Sequence, residues 1–391
     1  MATKNADYSD SEYDFLIFRG IYDIIRNMKE KNIQSNDYDA TALLAYPRFG
    51  DNDTLEKRLP SFGRALLVRE LRSKYGIDVW ASHGVKKGDI YTIVRPEFEG
   101  LDLSRYDIIA DKNNEELSLA LNSIALIRNY TKTARLNYDG TVLNPPDLRE
   151  AVRDKHKMAT EFYGPSGAYG RENVIAHSVA GVSEAVTSLP GEMFVAKPNQ
   201  GTLSRRIIVG DKSGVISKVR QALIKDPDNP YLVEEKIDFS SAMPGVRGEN
   251  STEQSRLDRA NRDGVNKELR LYYYSDGEWD GVLRVAEPGE TDFKADKWLY
   301  IDLDSIPSEL LEKSQEIAKQ LCRSYGDVEA HMALDWTYGS VASQPEPHWM
   351  IMEVNAGNPW NVKPGQNRQV SERQHRKDAK QIARIAKSVG K

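Results

Sequence analysis

Short apolar runs and helical patterns alternate along the first third of the chain. The predicted strands lie at residues 15–18, 42–46, 79–81, 91–94 and 108–110. Apolar positions repeat at helical spacing at 65–75 and 115–127, between some of these strands. Strands that alternate with helices are typical of an open α/β layer, so we expect an α/β domain over residues 1–143.

A boundary follows at Asn144-Pro145-Pro146-Asp147. Proline disfavours helix in the residue before it, and Asp147 can cap a helix that we predict to begin near Leu148 and to carry Lys155 and Lys157. Beyond a glycine-rich stretch at 164–170, apolar runs follow one another up to residue 286. The strands predicted there lie at 193–197, 206–209, 231–235, 269–274 and 281–285, with one helix at about 213–224.

The second half of the chain contains a polar insertion and a late pair of strands. Residues 245–266 carry few large apolar side chains, which predicts a mobile surface loop and a candidate lid. After an amphipathic helix at 308–321, strands are predicted at 333–336 and 349–354 around a turn at 339–347. A basic helix at 371–389 closes the chain. Together the elements predict an α/β (α+β) protein.

The composition excludes several classes of protein. Hydrophobic residues make up 39% and charged residues 29% of the 391 residues, as in soluble globular proteins. The net charge of -5 arises from 54 basic and 59 acidic residues mixed along the chain, so neither nucleic acid nor a membrane is an expected partner. No signal-peptide pattern begins the chain, and no run approaches the ~20 apolar residues of a membrane helix, so we expect a cytoplasmic protein.

The single cysteine, Cys322, cannot form an internal disulfide. Ile317 and Leu321 give it an apolar helical setting, which favours an inert buried thiol over a nucleophile.

Three oxygen-bearing side chains stand near the ends of the two late strands. Asp335 ends one apolar run, and Glu353 and Asn355 lie on the same face of the next because strand side chains alternate. If the runs pair as a hairpin, the three converge on a site that suits hard Mg²⁺ ions. The alternative is that Asp335 and Asn355 begin turns. Glu353 favours the metal site, because an unpaired carboxylate in an apolar strand is costly.

Upstream, two strand ends carry charged side chains. Lys197 ends a predicted strand before a polar loop whose amides can bind an anion, although a lysine before a turn is common. The run 231–235 ends in Glu234 and Glu235, which offer a hinge for an adenine amino group and a ribose. The alternative for this pair is a solvated strand end.

Two later strands carry arginines. Glu268 and Arg270 share one face of their strand, and Arg284 lies inside the next. An arginine there can neutralise charge on a transferred phosphoryl group. Pairing with an acid across the sheet is the alternative.

These motifs, in this order, resemble the ATP-grasp superfamily, most closely ligases of the glutathione synthetase and ribosomal-protein glutamate ligase type. The similarity covers about residues 144–360. It implies an N-terminal α/β domain of the pre-ATP-grasp type at 1–143, a small central subdomain at 144–236, and a C-terminal subdomain with the magnesium-binding strands at 237–391. The two subdomains would clasp the nucleotide between them.

The resemblance also implies the residues that bind ATP. Lys155, with Lys157 as the alternative, matches the first ATP lysine, and Lys197 matches the second. The adenine hinge is matched by Glu234 with the backbone of Glu235 and Ile237.

Further positions match the ribose, the metal and the phosphates. Glu268 resembles the acid at the ribose, and Arg270 and Arg284 resemble the arginines near the γ-phosphate and the acyl group. The side chains that resemble the magnesium ligands are Asp335, Glu353 and Asn355. In relatives the loop after the second lysine is glycine-rich, whereas here residues 201–206 include arginines, so phosphate contact either uses arginine or is altered.

By this resemblance the chain is expected to be an ATP-dependent carboxylate-amine ligase that forms an acyl phosphate and releases ADP. Its cofactors would be ATP and two Mg²⁺ ions, with Mn²⁺ as a substitute. The partners would be small-molecule carboxylate and amine substrates, such as an amino acid or a peptide, with a homo-oligomer as an open alternative. An ATP-grasp-type kinase that phosphorylates a hydroxyl and a non-catalytic nucleotide-binding module are the competing hypotheses.

Overall fold

The computed structural model describes residues 40–45, 62–81, 108–111, 141–163, 169–200, 206–286, 298–356 and 368–389. The predicted strands at 15–18 and 91–94, the predicted helix at 115–127 and the loop at 201–205 lie outside these residues. The chain forms two compact units, one of Met1–Pro146 with Trp360–Lys391 and the other of Asp147–Pro359.

The first unit contains a parallel sheet with the strand order β2-β1-β3-β4. Its elements are β1 (Ala40–Ala45), α1 (Phe62–Tyr75), β2 (Ile77–Ala81), β3 (Ile108–Asp111), β4 (Thr141–Leu143) and the C-terminal helix α8 (Arg368–Val389). Leu67 and Leu71 of α1 are buried against Ile382 and Ile385 of α8 in one apolar cluster. The parallel sheet agrees with the predicted open α/β layer, and β4 was not predicted because it is only three residues long.

The C-terminal helix belongs to this first unit, whereas the sequence-based boundaries grouped residues 237–391 in one subdomain. Helix α8 packs on α1 and on the sheet, with Ala379 and Ala386 fully buried. An amphipathic pattern reveals that a helix has an apolar face but does not reveal which core covers it.

The second unit is built on two antiparallel sheets. The larger sheet has the order β11-β10-β9-β12-β13 and the smaller the order β5-β8-β6-β7. The strands are β5 (Asn173–Ala176), β6 (Met193–Pro198), β7 (Ile208–Asp211), β8 (Tyr231–Glu235), β9 (Lys267–Tyr274), β10 (Trp279–Val285), β11 (Trp298–Leu299), β12 (His331–Val341) and β13 (Gln344–Ala356). The helices are α2 (Pro146–Arg153), α3 (Lys155–Glu161), α4 (Val182–Ser188), α5 (Lys212–Lys225), α6 (Ser251–Arg262) and α7 (Ser308–Ser324).

One face of the larger sheet is covered by an apolar core. Trp336 of β12 and Leu271 of β9 are fully buried there with Leu310 and Ile317 of α7. Burial of one such side chain contributes about 1.5–3 kcal/mol relative to exposure. Polar residues alternate with the core residues along each strand, so they lie on the opposite face of the sheet. In the same core region, burial raises the pKa of the Cys322 thiol to about 12, so the thiol stays protonated.

The polar insertion at 245–266, predicted as a mobile loop and lid, contains the helix Ser251–Arg262 instead. Helix α6 begins after Asn250, whose side chain accepts hydrogen bonds from the amides of Thr252 and Glu253. It buries Leu257 and Ala260 in the main core of the unit. The lid hypothesis for this segment is therefore wrong.

A single helix was predicted near Leu148 and onward through Lys157, but two helices occur. Asp154 separates α2 from α3 and caps α3, because its carboxylate accepts a hydrogen bond of 2.9 Å from the amide of Lys157. Across the described stretches, no helix combines the length and the apolar character needed to cross a membrane.

Candidate functional site

Charged side chains form a ladder across the face of the larger sheet opposite the apolar core, where Glu268, Arg270 and Asp335 are buried. Neighbouring strands place residues directly opposite each other in the pairs Trp298–Arg284, Arg284–Glu268, Arg270–Asp335 and Asp335–Glu353. Residues opposite each other point to the same side of a sheet, and so do residues two apart on one strand. The charge ladder therefore comprises Arg284, Glu268, Arg270, Asp335, Glu353 and Asn355.

A β-bulge at Met352 gives Glu353 its orientation. Asp335 pairs with Glu353, but the next residue, Trp336, pairs with Ile351, so one residue of β13 is left over. Strict alternation would place Glu353 on the core face with Ile351. The extra residue reverses the alternation and moves the carboxylate to the ladder, as bulges commonly do beside functional sites.

Ion pairs hold the ladder together. The Arg270 guanidinium donates from Nε to Asp335 Oδ1 at 2.6 Å and from Nη2 to Oδ2 at 2.5 Å. Arg284 Nη1 donates to Glu268 Oε1 at 2.6 Å. Asn355 Nδ2 donates to Asp335 Oδ2 at 3.2 Å. In the Arg270–Asp335 pair both partners are buried, which gives it a fixed geometry that exposed pairs lack.

The ladder shifts the protonation of its members. Burial raises the pKa of Glu268 to about 7, with Asp335 acting in the same direction and Arg284 in the opposite one. Burial disfavours the charge on Arg270, but the paired Asp335 outweighs it and raises the pKa of Arg270 well above its usual range. One carboxyl group of the ladder therefore stays partly protonated near neutral pH, while its arginine stays charged.

Trp298 completes the ladder at its β11 end and was not predicted from the sequence. Its ring lies 5.4 Å from the Arg284 guanidinium carbon and 6.0 Å from that of Arg270. Both distances are within the range of cation-π attraction. The two-residue strand β11 offers no periodic pattern that could have marked it.

Glu353 differs from the other carboxylates of the ladder. It is half-buried, and its carboxylate makes no hydrogen bond or ion pair with another residue that the structure describes. It still acts on its surroundings, since it favours the charged form of Lys155 and opposes ionisation of Tyr163. The carboxylate therefore lies near both the ladder and the lysine side of the site.

The smaller sheet contributes a second charged cluster around Glu234. Lys197 Nζ lies 2.9 Å from Glu234 Oε2, and Arg171 Nη2 lies 2.9 Å from Glu234 Oε1. Burial opposes the charge of Glu234, but Arg171 and Lys197 outweigh it and lower its pKa. Arg171 was not singled out in the sequence, because it belongs to no motif and precedes a strand of only four residues.

Lys155 joins this cluster, and Lys157 does not. Burial lowers the pKa of Lys155, and the nearby Lys197 acts in the same direction, while Glu353 opposes both. Lys157 instead donates to the hydroxyl of Tyr325 at 2.9 Å. Of the two candidates for the first lysine, only Lys155 therefore lies in the electrostatic field of Lys197 and Glu353.

Asn199 fixes the helix that carries Lys155 to the strand that carries Lys197. Its side-chain oxygen accepts from the amide of His156 at 2.8 Å, and its side-chain nitrogen donates to Asp154 Oδ1 at 3.0 Å. Its carbonyl accepts from the amide of Lys155 at 3.2 Å. These bonds hold the two lysines in one arrangement.

Tyr163 lies between the two clusters and was also missed. It is buried, and burial together with the charges of Glu353 and Glu234 raises the pKa of its hydroxyl well above the usual value. The Val354 backbone hydrogen-bonds to this hydroxyl. Its position on the short turn after α3 left no sequence signal.

The predicted adenine hinge is only partly gathered at the site. Glu234 faces the lysines, whereas the Glu235 carboxylate is buried against the amide and hydroxyl of Ser343. The side chain of Ile237 packs with Val341 and Met350. The prediction assigned only the backbone of Glu235 and Ile237 to the adenine, so the positions of these two side chains do not test it.

The donor set at the β13 end of the ladder fits a hard cation. Asp335, Glu353 and Asn355 offer only oxygen ligands, which Mg²⁺ prefers. Both Asp335 oxygens are bonded to Arg270, but a carboxylate has about four lone-pair directions, so ligation remains open to it. Within the described part of the chain, no group of three or more His, Cys, Asp or Glu side chains is spaced to hold a metal. Phosphate oxygens would complete such a site.

Comparisons with known proteins give similarity in structure and not in sequence. No protein-family model and no curated protein matches the chain. D-cycloserine synthetase DcsG matches with a TM-score of 0.51 at 14% identity, over 88% of this chain and 99% of its own. D-alanyl-alanine synthetase A from Vibrio cholerae matches with 0.48 at 12% identity, over 88% and 99%. The RimK domain protein ATP-grasp from Sphaerobacter thermophilus matches with 0.45 at 13% identity, over 89% and 99%.

Of these three ATP-grasp ligases, D-cycloserine synthetase DcsG has a TM-score above 0.5, and at 14% identity the likeness to it concerns the fold alone. The mixed helices and antiparallel sheets of the second unit agree with it. The resemblance inferred from the order of the motifs is thereby confirmed at the level of the fold. This chain has the fold of the ATP-grasp superfamily.

Proposed function

We propose that the protein is an ATP-dependent ligase that joins a carboxylate to an amine and releases ADP and phosphate. The observation that supports this most is the charge ladder, which aligns cations and carboxylates on one face of the sheet. Such a face suits a metal-bound polyphosphate, because it offers both metal ligands and counter-charges.

In this proposal Asp335, Glu353 and Asn355 hold Mg²⁺, with two ions as in the family and Mn²⁺ as a substitute. When bound, the metal neutralises charge on the phosphates and aligns them for in-line transfer. The half-buried Glu353 supports this role, because it faces the ladder without an ion pair to another described residue.

Lys155 and Lys197 would bind the phosphates of ATP. Lys155 lies in the field of both Glu353 and Glu234, and Lys197 pairs with Glu234, which supports one electrostatic site for the lysine cluster and the ladder. Glu234 and the backbone of Glu235 and Ile237 would receive the adenine. Glu268 would bind the ribose, for which its partly protonated carboxyl offers both a donor and an acceptor.

The reaction would proceed in two displacements. A carboxylate oxygen of the first substrate attacks the γ-phosphorus, the bond to ADP breaks, and ADP leaves with the electron pair. Arg270 and Arg284 neutralise the charge on the transferred phosphoryl group. An amine nitrogen then attacks the acyl carbon, phosphate leaves, and the amine loses a proton as the amide forms. An amino acid or a peptide is the substrate class that we expect.

Asp335→Asn tests the proposal. Loss of one charge from the metal ligands should lower ADP release at least about 100-fold, because the phosphates then lose their counter-charge. ADP release would be measured over a panel of amino acids and small carboxylates with hydroxylamine as a trap. Asp302→Asn is the matched control, since Asp302 is an aspartate paired with Arg247 at the surface.

The outcomes separate the competing functions. Wild-type ADP release that yields a hydroxamate supports the ligase. ADP release without hydroxamate would favour a kinase, and nucleotide binding without ADP release would favour a non-catalytic module. An Asp335→Asn variant as active as the wild type would contradict the roles given to the ladder.

A further inference from the structure

We propose that Arg171 is a positioning residue that keeps Lys197 available to the phosphates of the nucleotide. The inference rests on the proposed function, in which Lys197 binds the triphosphate. Arg171 itself acts through Glu234 and needs no contact with the ligand.

The first observation is that the two cations share one buried carboxylate. Arg171 and Lys197 bind different oxygens of Glu234, each at 2.9 Å, and the side chains of Arg171 and Glu234 are both only 5% exposed. Without Arg171, the ion pair that the structure describes for Glu234 would be that with Lys197, and these two charges would cancel. With Arg171 present, the cluster retains positive charge that an anion can bind.

The second observation is a closed ring of polar contacts through Arg171. Its carbonyl accepts from Asn173 Nδ2 at 3.1 Å, and Asn173 Oδ1 lies 3.0 Å from His156 Nδ1. The amide of His156 donates to Asn199, two residues beyond Lys197. The ring runs from Arg171 through Glu234 and Lys197 to Asn199 and back through His156 and Asn173.

The ring connects Arg171 with the two elements that carry the lysines. His156 is the neighbour of Lys155 on α3, and Asn199 follows Lys197 at the end of β6. Arg171 precedes β5, which pairs with β8 at Glu234. A change of the Arg171 side chain therefore alters the partner of Lys197 directly, whereas Asn173 keeps its bond to the Arg171 carbonyl.

The test compares a probe of the phosphates with a probe of the nucleoside. Wild type and Arg171→Gln would be titrated calorimetrically with inorganic tripolyphosphate and with adenosine, at fixed Mg²⁺. Glutamine can still donate to Glu234, but it lacks the charge. We expect tripolyphosphate affinity to fall about tenfold, because one positive charge is lost near a partly buried anion site. Adenosine affinity should change less than twofold, because adenosine is uncharged.

Two further variants sharpen the test. Arg171→Lys keeps the charge and should bind tripolyphosphate within about threefold of wild type. The double variant Arg171→Gln with Glu234→Gln removes one charge of each sign, so its tripolyphosphate affinity should also return to within about threefold. If Arg171→Gln alone does not fold, the double variant serves as the test, because replacing Glu234 as well leaves no buried carboxylate without its arginine.

Arg256→Gln is the matched control, because Arg256 pairs at 3.0 Å with Glu253, another buried glutamate of the same unit. It should leave both affinities unchanged. Equal tripolyphosphate affinity in Arg171→Gln and wild type would overturn the inference while leaving the proposed function intact. Parallel loss of adenosine and tripolyphosphate affinity would show a merely structural role and would also overturn it. A wild type that binds no ATP would contradict the proposed function instead.

Discussion

At the scale of single residues, Glu268 of the ladder makes the stability of the protein depend on pH. Burial raises its pKa to about 7 from the ordinary 4.5, so between these values the folded protein holds a proton that the unfolded chain releases. The free energy of unfolding therefore falls as the pH rises through this window, and the contribution of Glu268 is constant above it.

Glu268→Gln should remove this pH dependence, since glutamine does not titrate. We expect the loss of stability between pH 5 and pH 8 to be smaller in the variant than in the wild type. Urea denaturation measures the free energy of unfolding of each protein at the two pH values. Subtracting the change in the variant from the change in the wild type cancels the contributions of the other titrating groups. Identical pH dependence in the two proteins would show that Glu268 ionises normally.

Residue types and their order were enough to predict the polar members of the charge ladder. Arg270, Asp335, Glu353 and Asn355 are gathered as the alternation and the expected hairpin implied. Their partners were not predictable, because a buried partner such as Arg171 lies 63 residues from Glu234 in the chain. Only the folded backbone brings such pairs together.

At the scale of elements, the hairpin of β12 and β13 was predicted from two apolar runs, but its register was not. The bulge at Met352 decides which face Glu353 occupies, and no local propensity marks a bulge at a methionine. The alternative that Asp335 and Asn355 only begin turns is contradicted, because both lie inside strands.

The sequence contains a helix signal for α6 that the loop prediction did not use. Asn250 and Glu253 have the spacing of a capping motif, and the buried Glu253, Leu257 and Ala260 follow at intervals of four and three residues. A helix that buries so few apolar side chains resembles a loop in composition. The cap and the spacing were more informative than the hydrophobicity.

Close backbone contact at Gly339 leads to a prediction for the hairpin. A Cβ atom at Gly339 would lie 2.3 Å from the Asp238 carbonyl oxygen and 2.9 Å from Ile237 Cγ2. Gly339→Ala should therefore force the segment after β8 away from the hairpin and destabilise the protein by about 1–3 kcal/mol. Chemical denaturation measures the change in the free energy of unfolding.

Gly210→Ala is the control for this substitution. Gly210 also lies in a strand, but its nearest neighbour to an added Cβ is an ordinary 3.8 Å away. Equal stabilities of the two variants would mean that the hairpin and the segment after β8 separate at no cost.

At the scale of the whole molecule, the net charge of -5 conceals a strongly charged interior. Arg171, Lys197, Arg270 and Arg284 pair with buried carboxylates within one unit. Burying so many charges is costly unless they are paired, and it is seldom a route to stability. Their concentration in one region is better explained by binding of a charged ligand.

The central claim is that the ladder and the lysine cluster bind one metal-nucleotide complex. Its most direct test is calorimetric titration of ATP into the whole chain, with and without Mg²⁺, for wild type and Glu353→Gln. The account predicts that Mg²⁺ tightens ATP binding to the wild type at least about tenfold, and that the variant loses most of this gain. A wild type that does not bind ATP, or an equal effect of Mg²⁺ on both proteins, would contradict it.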